Sequence, residues 1–181
     1  MKNFVAYTFI LLIFSYAQLA SAKSEDQYVY LGFAAGGAKT SDDSIFTKRE
    51  QSASILYFGY VYKGWIGVEV GSFGMIEEKD TAATPPVTNE TSVAGTTSQV
   101  VVRIPVANTV SAHFGTGIID WKIAVDGVEL QKGSGAAYTA GINWYFGTNW
   151  SLRVEGAKYT KIGAANADIN QTRLGITYNF F

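Results

Sequence analysis

The final segment of the chain, residues 172–181, alternates between two kinds of side chain and constrains the fold more than any other feature. Successive side chains of a β-strand point to opposite faces. One face here is largely apolar, with Thr172, Leu174, Ile176, Tyr178 and Phe180, and the other is small or polar, with Arg173, Gly175, Thr177 and Asn179. An open strand with this apolar surface frays or aggregates. The segment therefore predicts a strand that pairs with the first strand to close a barrel, with its apolar face toward lipid.

The N-terminus has the organisation of a secretory signal peptide. A basic start is followed by an apolar run over residues 4–14 and by small residues before Lys23. This pattern predicts cleavage between Ala22 and Lys23, with the domain proper over residues 23–181. A membrane-spanning helix needs about 20 apolar residues, and polar residues interrupt the run before that length.

The composition suits an exported β-protein. The chain contains no cysteine, so the fold has to be stable without disulfides. Glycine and aromatic residues are abundant and proline is scarce, which favours strands and turns over helices. The net charge of −1 gives no support for nucleic-acid binding.

Eight segments show the two-residue period of strands, and the connectors between them alternate between short and long. Tight turns are expected at residues 63–64, 107–108 and 147–149. Short turns at one end and long loops at the other are typical of an outer-membrane barrel. The predicted strands cover residues 27–38, 52–62, 65–75, 97–106, 109–122, 136–146, 150–161 and 169–181.

The strand faces distinguish a membrane barrel from a soluble one. In the third strand Ile66, Val68 and Val70 oppose a face that contains Glu69. In a soluble barrel the polar face would point to water. Aromatic residues beside the tight turns instead indicate the girdle of a membrane interface. These are Tyr62, Trp65, Trp144, Phe146 and Trp150. The polar, glycine-rich face is then expected to fill a narrow interior.

With these residues in view, the chain resembles the OmpA-type family of eight-stranded outer-membrane β-barrels, which includes opacity-protein-like surface antigens. The resemblance covers the whole mature chain and is strongest over residues 137–181. There YTAGINWYF, the turn GTN and WSLRVE look like the penultimate hairpin, and GITYNF looks like the closing strand. The resemblance implies an all-β, eight-stranded antiparallel up-and-down transmembrane barrel in the outer membrane, with both termini in the periplasm.

The resemblance also implies partners and an assembly signal. The closing strand is similar to the signal read by the barrel-assembly machinery, which places that role on Tyr178, Phe180 and Phe181. The alternation puts the expected terminal aromatic at Phe180, so Phe181 is one residue extra. Outer-membrane lipid is the other expected partner, and a closed barrel needs no second copy, so a monomer is predicted.

Four longer connectors are expected to face outside, over residues 39–51, 76–96, 123–135 and 162–168. In the third, Asp126-Gly127 lies between β-forming residues and favours a two-residue hairpin turn. We predict that this connector is an extended hairpin projecting beyond the membrane.

Charged residues on the inward face form the first candidate site. They are Glu69, Arg103, Arg153, Glu155 and Arg173. An eight-stranded barrel leaves room only for side chains, and a buried charge needs a partner. We interpret this set as a structural charge network; an ion path through the barrel is the alternative.

Ser111 and His113 are the strongest enzymatic candidates, because His113 is the only histidine and shares a strand face with Ser111. Some small outer-membrane barrels deacylate lipid A with a serine and a histidine. Here the pair lies beside the turn at residues 107–108, on the inward face, whereas lipid A occupies the outer leaflet. No catalytic, cofactor-binding or metal-binding residue is therefore predicted. The acidic residues Asp42, Asp43, Glu77, Glu78 and Asp80 lack calcium-loop spacing and read as solvated loop charge.

Together these observations predict a non-enzymatic outer-membrane barrel that is structural in the envelope and displays loops for surface interaction or adhesion to a host or environmental ligand. A narrow pore is the alternative function, and a lipid A-modifying enzyme is a third class.

Overall fold

The computed structural model describes residues 27–41, 50–77 and 90–180, and these form one closed antiparallel barrel of eight strands. Each strand pairs with the next along the chain, and the last pairs with the first. Within this part of the chain no helix is long and apolar enough to cross a membrane. The strands are β1 (Gln27–Thr40), β2 (Glu50–Tyr62), β3 (Ile66–Glu77), β4 (Thr91–Ala107), β5 (Val110–Val125), β6 (Val128–Phe146), β7 (Trp150–Ile162) and β8 (Ala167–Phe180).

The closure predicted from the last segment is confirmed. Leu31 of β1 lies opposite Tyr178 of β8, and Phe33 lies opposite Ile176. Arg173 on the other face of β8 is buried inside the barrel. The same alternation runs around the barrel and leaves an outward apolar surface, which includes Leu56, Phe58, Val68, Val70, Val100, Phe114, Ile118, Ile142, Val154 and Leu174.

The two ends of the barrel differ in their connectors. At one end, named here the short-turn end, β-strands are joined by turns at residues 63–65, 108–109 and 147–149. Lys63, Gly64 and Gly147 have positive φ, the conformation that such tight reversals require. The opposite end, named the long-loop end, carries the other connectors.

At the long-loop end the strands continue further than the sequence analysis predicted. β4 begins at Thr91 rather than at residue 97. The connector predicted over residues 162–168 is wrong in length, because Ile162 pairs with Ala167 and only the turn at 163–166 separates β7 from β8. The small residues in this segment are typical of a loop, and the sequence therefore predicted a longer connector. In the structure Gly163 and Asn166 adopt positive φ, which allows a tight turn.

The extended hairpin predicted around Asp126-Gly127 is confirmed. β5 runs to Val125 and β6 starts at Val128, with positive φ at both turn residues. The Asp126 N–H donates to the Glu90 carbonyl at 2.8 Å, and the Glu90 N–H donates to the Asp126 carboxylate at 3.1 Å. We name the parts of β4, β5 and β6 at this end the arm, which comprises residues 91–96, 119–125 and 128–135; β3 pairs with its β4 segment as far as Thr91.

Candidate functional site

The interior beside the short-turn end and through the middle of the barrel contains buried charges. Arg153 Nη1 lies 2.7 Å from Glu69 Oε2 and 3.7 Å from Glu155 Oε2. Arg173 Nη2 pairs with the other oxygen of Glu155. All four side chains are buried, so the barrel brings four of the five predicted interior charges into one set of ion pairs. Because each charge has an opposite partner, the low-dielectric interior can hold them.

Arg103, the fifth residue, lies apart from this set. Its Nη1 donates to the Tyr28 hydroxyl at 2.7 Å and to the Tyr145 hydroxyl at 3.3 Å. Its guanidinium also lies 4.3 Å from the centre of the Tyr30 ring. Tyrosine oxygens and aromatic faces, rather than a carboxylate, are its contacts among the described residues. A guanidinium is stabilised by both kinds of contact.

Two tyrosines line this interior because glycines lie opposite them. Tyr30 of β1 faces Gly59 of β2, and Tyr57 of β2 faces Gly32 of β1. A Cβ atom on Gly59 would lie 2.1 Å from the Tyr30 ring, and one on Gly32 would lie 2.3 Å from the Tyr57 ring. The glycines therefore let both rings lie flat against the wall, from where the Tyr30 hydroxyl donates to Glu69 at 2.8 Å.

His113 contacts the ion pairs rather than Ser111. Its Nε2 lies 2.6 Å from Glu155 Oε2, and its Nδ1 lies 3.2 Å from the Asn143 amide nitrogen. Because an amide nitrogen only donates, Nδ1 accepts and Nε2 carries the proton that it donates to Glu155. Both ring nitrogens are therefore engaged, and neither can take a proton from Ser111.

Ser111 is held by other neighbours. Its Oγ lies 3.2 Å from the Tyr145 hydroxyl and 3.4 Å from the Asn143 amide nitrogen, and the residue is buried. A serine nucleophile needs an adjacent base and access to substrate. Ser111 has neither in this arrangement, so the pair is part of a hydrogen-bond network.

Asn143 is the residue that sequence reasoning missed as a centre of this network. Its amide nitrogen contacts His113 and Ser111, and its Oδ1 accepts from Arg153 Nε at 3.0 Å. Its role could have been predicted from its inward position on β6, because the register places it directly opposite Arg153 on β7 and Ser111 on β5.

The interior of the long-loop half is mostly apolar, whereas the sequence indicated a polar, glycine-rich inner face; Gln51 and Gln171 are also buried in this half. Phe73 and Tyr159 stack with ring centres 5.3 Å apart. We name the group around them the apolar plug; it includes Ile55, Phe73, Met75, Ile119 and Tyr159, each at most 3% exposed. These side chains are buried against one another, so the described part of this half is a packed apolar core.

The remaining predicted site residues fall in two groups. Trp150, Tyr178 and Phe180 form consecutive edge-to-face ring contacts at the short-turn end, each with ring centres 4.8 Å apart. Phe181, the predicted cleavage residues Ala22 and Lys23, and the acidic residues 42, 43, 78 and 80 lie outside the described residues. Within residues 27–41, 50–77 and 90–180, no group of His, Asp and Glu side chains is arranged to hold a metal ion.

Comparison with solved structures finds the same architecture. Neisserial surface protein A has a TM-score of 0.66 at 14% identity, covering 86% of this chain and 98% of that one. Ail, the attachment invasion locus protein of Yersinia pestis, in complex with the heparin analogue sucrose octasulfate, has a TM-score of 0.60 at 14% identity, with coverage of 85% and 97%. OprG from Pseudomonas aeruginosa has a TM-score of 0.54 at 12% identity, with coverage of 87% and 97%.

Comparison with curated proteins gives no match. The model of one family, described as the outer membrane protein beta-barrel domain, matches residues 8–180. This match extends over nearly the whole chain and agrees with the closed barrel, its apolar outer surface and its packed interior. The chain therefore belongs to the outer-membrane β-barrel domain family.

Proposed function

We propose that this protein is a non-enzymatic outer-membrane barrel that presents its arm outside the cell for binding to host or environmental surfaces. The observation that carries the proposal is the arm itself, a hairpin of β5 and β6 that continues beyond the regular pairing of β6 with β7, while β3 pairs with β4 as far as Thr91 on its other side. Ail, one of the similar solved barrels, is described as an attachment invasion locus protein.

The arm is built as a rigid support. Its strands remain paired up to the turn, where Thr91 lies opposite Val125 and Val125 lies opposite Val128. The two hydrogen bonds between Glu90 and Asp126 hold the tip to the neighbouring connector. A binding surface on such a support loses little conformational entropy when it engages a partner.

We propose that the long-loop end faces outside and that the short turns and both chain ends face the periplasm. Barrels of this class have short periplasmic turns and longer extracellular loops. The aromatic side chains Tyr62, Trp65 and Trp150 are exposed near the short turns, as expected for the inner interface.

The apolar plug supports a closed barrel over a pore. Planar-bilayer recordings test this point directly, because a sealed interior gives no steady conductance. Replacing both Phe73 and Met75 by serine should open the plug, and the variant should conduct ions if its barrel still closes. Steady conductance of the unaltered protein would contradict the proposal.

The closing strand is proposed as the segment that the barrel-assembly machinery binds, with Phe180 exposed at the short-turn end as its recognition residue. Deletion of Phe181 alone should leave assembly unchanged, and deletion of both phenylalanines should impair it. Heat-modifiability of the band in gels measures the folded fraction, and equal assembly of the double deletion would overturn this role.

The surface-binding proposal is tested by shortening the arm. Residues 122–132 are replaced by Asn-Gly, which joins the paired residues Trp121 and Gly133 directly. Cells displaying the unaltered protein should attach to immobilised fibronectin, collagen or heparin about tenfold more than cells lacking it, and the shortened variant should lose this gain.

Asp126→Asn is the matched control, because asparagine keeps the hairpin turn. Gel heat-modifiability verifies that all variants fold. Equal attachment by the shortened and unaltered proteins, or no attachment by either, would contradict the proposal.

A further inference from the structure

Arg103 differs from the other interior arginines in its partners. Arg153 and Arg173 each pair with a glutamate, whereas Arg103 has no carboxylate partner among the described residues. Arg103 is nonetheless only 4% exposed. Because a buried charge without an opposite charge is costly, the surroundings of Arg103 favour the binding of an anion.

The charges buried inside the described part of the barrel do not balance. Three arginines and two glutamates are buried within residues 27–41, 50–77 and 90–180; they are Glu69, Arg103, Arg153, Glu155 and Arg173. His113 is neutral, because its Nδ1 accepts a hydrogen bond from Asn143. This interior therefore has one positive charge in excess, and Arg103 is the arginine that lacks a carboxylate.

The hydrogen-bond donors of Arg103 are used on one side only. Its Nη1 donates to the Tyr28 and Tyr145 hydroxyls at 2.7 and 3.3 Å. Its Nε and Nη2 are buried and have no acceptor among the described residues. The Nε–H and one Nη2–H of a guanidinium point to the same side, and this edge can donate two parallel hydrogen bonds to one carboxylate or phosphate group. Arg103 thus has a complete bidentate edge without a partner in the described part of the chain.

The position of Arg103 places the route to this edge at the short-turn end. Arg103 is the last buried residue of β4, and the strand is exposed from Ile104 to its end at Ala107. Tyr28 is the second residue of β1 and Tyr145 is the last but one of β6, and both are half-buried. Side chains at strand ends can turn aside more easily than those in the middle of a sheet.

We propose that Arg103 binds a small free oxoanion, either inorganic phosphate or a short carboxylic acid, which enters at the short-turn end when Tyr28 and Tyr145 turn aside. Two oxygens of the anion accept from Nε and Nη2, and its negative charge balances the interior. The Tyr30 ring, whose centre is 4.3 Å from the guanidinium carbon, supports the guanidinium from one face. The site lies at the opposite end from the arm, so it goes beyond the proposed function and does not depend on it.

The test uses the full chain in lipid nanodiscs with ¹⁵N-labelled arginine. The chain contains four arginines, so the Nε–H signals in NMR spectra are few. The Arg103 signal is identified by its loss in Arg103→Lys. Sodium phosphate or sodium acetate, compared with sodium chloride at the same ionic strength, should shift this signal and slow its exchange with water. The Arg153 signal is the internal control, because Arg153 Nε already donates to Asn143 at 3.0 Å.

Two variants separate the charge of Arg103 from its bidentate edge. Arg103→Lys keeps the charge but lacks the edge, so it should bind phosphate about tenfold more weakly. Arg103→Gln removes the charge and should not bind. Because a ligand of the folded state stabilises it, phosphate should raise the urea midpoint of the unaltered protein and leave that of Arg103→Gln unchanged. Lys158→Ala is the matched control at the rim, and it should respond to phosphate as the unaltered protein does.

An Arg103 signal that responds to neither phosphate nor acetate would overturn the proposal, and so would an equal rise of the urea midpoint in Arg103→Gln. If Arg103→Gln does not fold, the NMR titration still decides. Binding of polyglutamate without any response to the small ions would also contradict the proposal, because it would assign the edge to a macromolecule. The variant with the shortened arm should still bind phosphate, so a failure of the anion site and a failure of the surface-binding role are separate results.

Discussion

The two halves of the barrel interior solve the same packing problem with different chemistry. Toward the short-turn end and the middle, the interior is filled by charged and polar side chains that pair with one another around Arg153 and Glu155. Toward the long-loop end it is filled by the apolar plug around Phe73. Both halves lie behind the same kind of lipid-facing surface, so the outer face does not determine what fills the inside.

This difference indicates how each half should respond to substitution. A buried ion pair is strongly destabilised when one member is removed, because the other charge is left without a partner. An apolar core loses stability in proportion to the contacts and cavity that a smaller side chain leaves. Substitutions in the two halves and at the exposed rim should therefore differ in size.

The largest effect is expected for Arg153→Met. The substitution leaves Glu69 without its cation and removes one of the cations beside Glu155, so the free energy of unfolding should fall by about 3–5 kcal/mol. Urea unfolding in lipid vesicles, followed by tryptophan fluorescence, measures the change.

The double variant Glu69→Gln with Arg153→Met provides the control, since it removes both charges of the Glu69–Arg153 ion pair. It should be more stable than Arg153→Met alone. A double variant as unstable as the single one would indicate that packing, and not charge pairing, is what Arg153 provides.

Phe73→Ala should lower the free energy of unfolding by about 3 kcal/mol, because it removes a buried ring that stacks on Tyr159. Phe33→Ala is the matched control, since Phe33 points outward to lipid. The same unfolding assay should give a much smaller change for Phe33, and equal losses at the two positions would mean that the plug is not a packed core.

His113→Gln should cost about 1–2 kcal/mol, because Glu155 loses one hydrogen-bond donor but keeps two arginines. Ser111→Ala should cost less, since Tyr145 and Asn143 retain other contacts. Mass spectrometry of lipid A from cells expressing each variant should match the unaltered protein, and a change caused by Ser111→Ala would restore the enzymatic interpretation.

The smallest effect is expected at the exposed rim. Lys158 Nζ lies 2.8 Å from Asp168 Oδ2 on the outer surface, and both side chains are partly exposed to solvent. Solvent-exposed ion pairs contribute less than about 1 kcal/mol, so Lys158→Ala should scarcely change the unfolding curve. A loss comparable to that of Arg153→Met would remove the distinction between interior and rim charges.

The sequence was sufficient to predict the barrel, because the two-residue period is directly visible wherever one strand face contacts lipid. The closing strand and the Asp126-Gly127 hairpin followed from this period and from turn chemistry. The burial of Arg103 and Arg173 on the inward face could be predicted for the same reason.

The contents of the long-loop half could not be predicted in this way. There the inward residues, such as Ile119 and Ile169, are as apolar as lipid-facing ones, so periodicity no longer separates the two faces. The contacts of His113 and Asn143 could not be predicted from the sequence either, because they depend on the pairing register of three strands. The length of the strands beyond the apolar band leaves no periodic signal either.

The surface-binding role requires the long-loop end of the barrel to face outside, and the orientation can be measured because the chain has no cysteine. Glu129→Cys places a thiol on the arm, and Thr148→Cys places one in a turn of the short-turn end; both positions are exposed. Intact cells are treated with a maleimide carried on a polymer too large to pass through porins. We expect labelling at position 129 in intact cells and at position 148 only after the outer membrane is opened. Labelling of position 148 in intact cells, with position 129 protected, would contradict it.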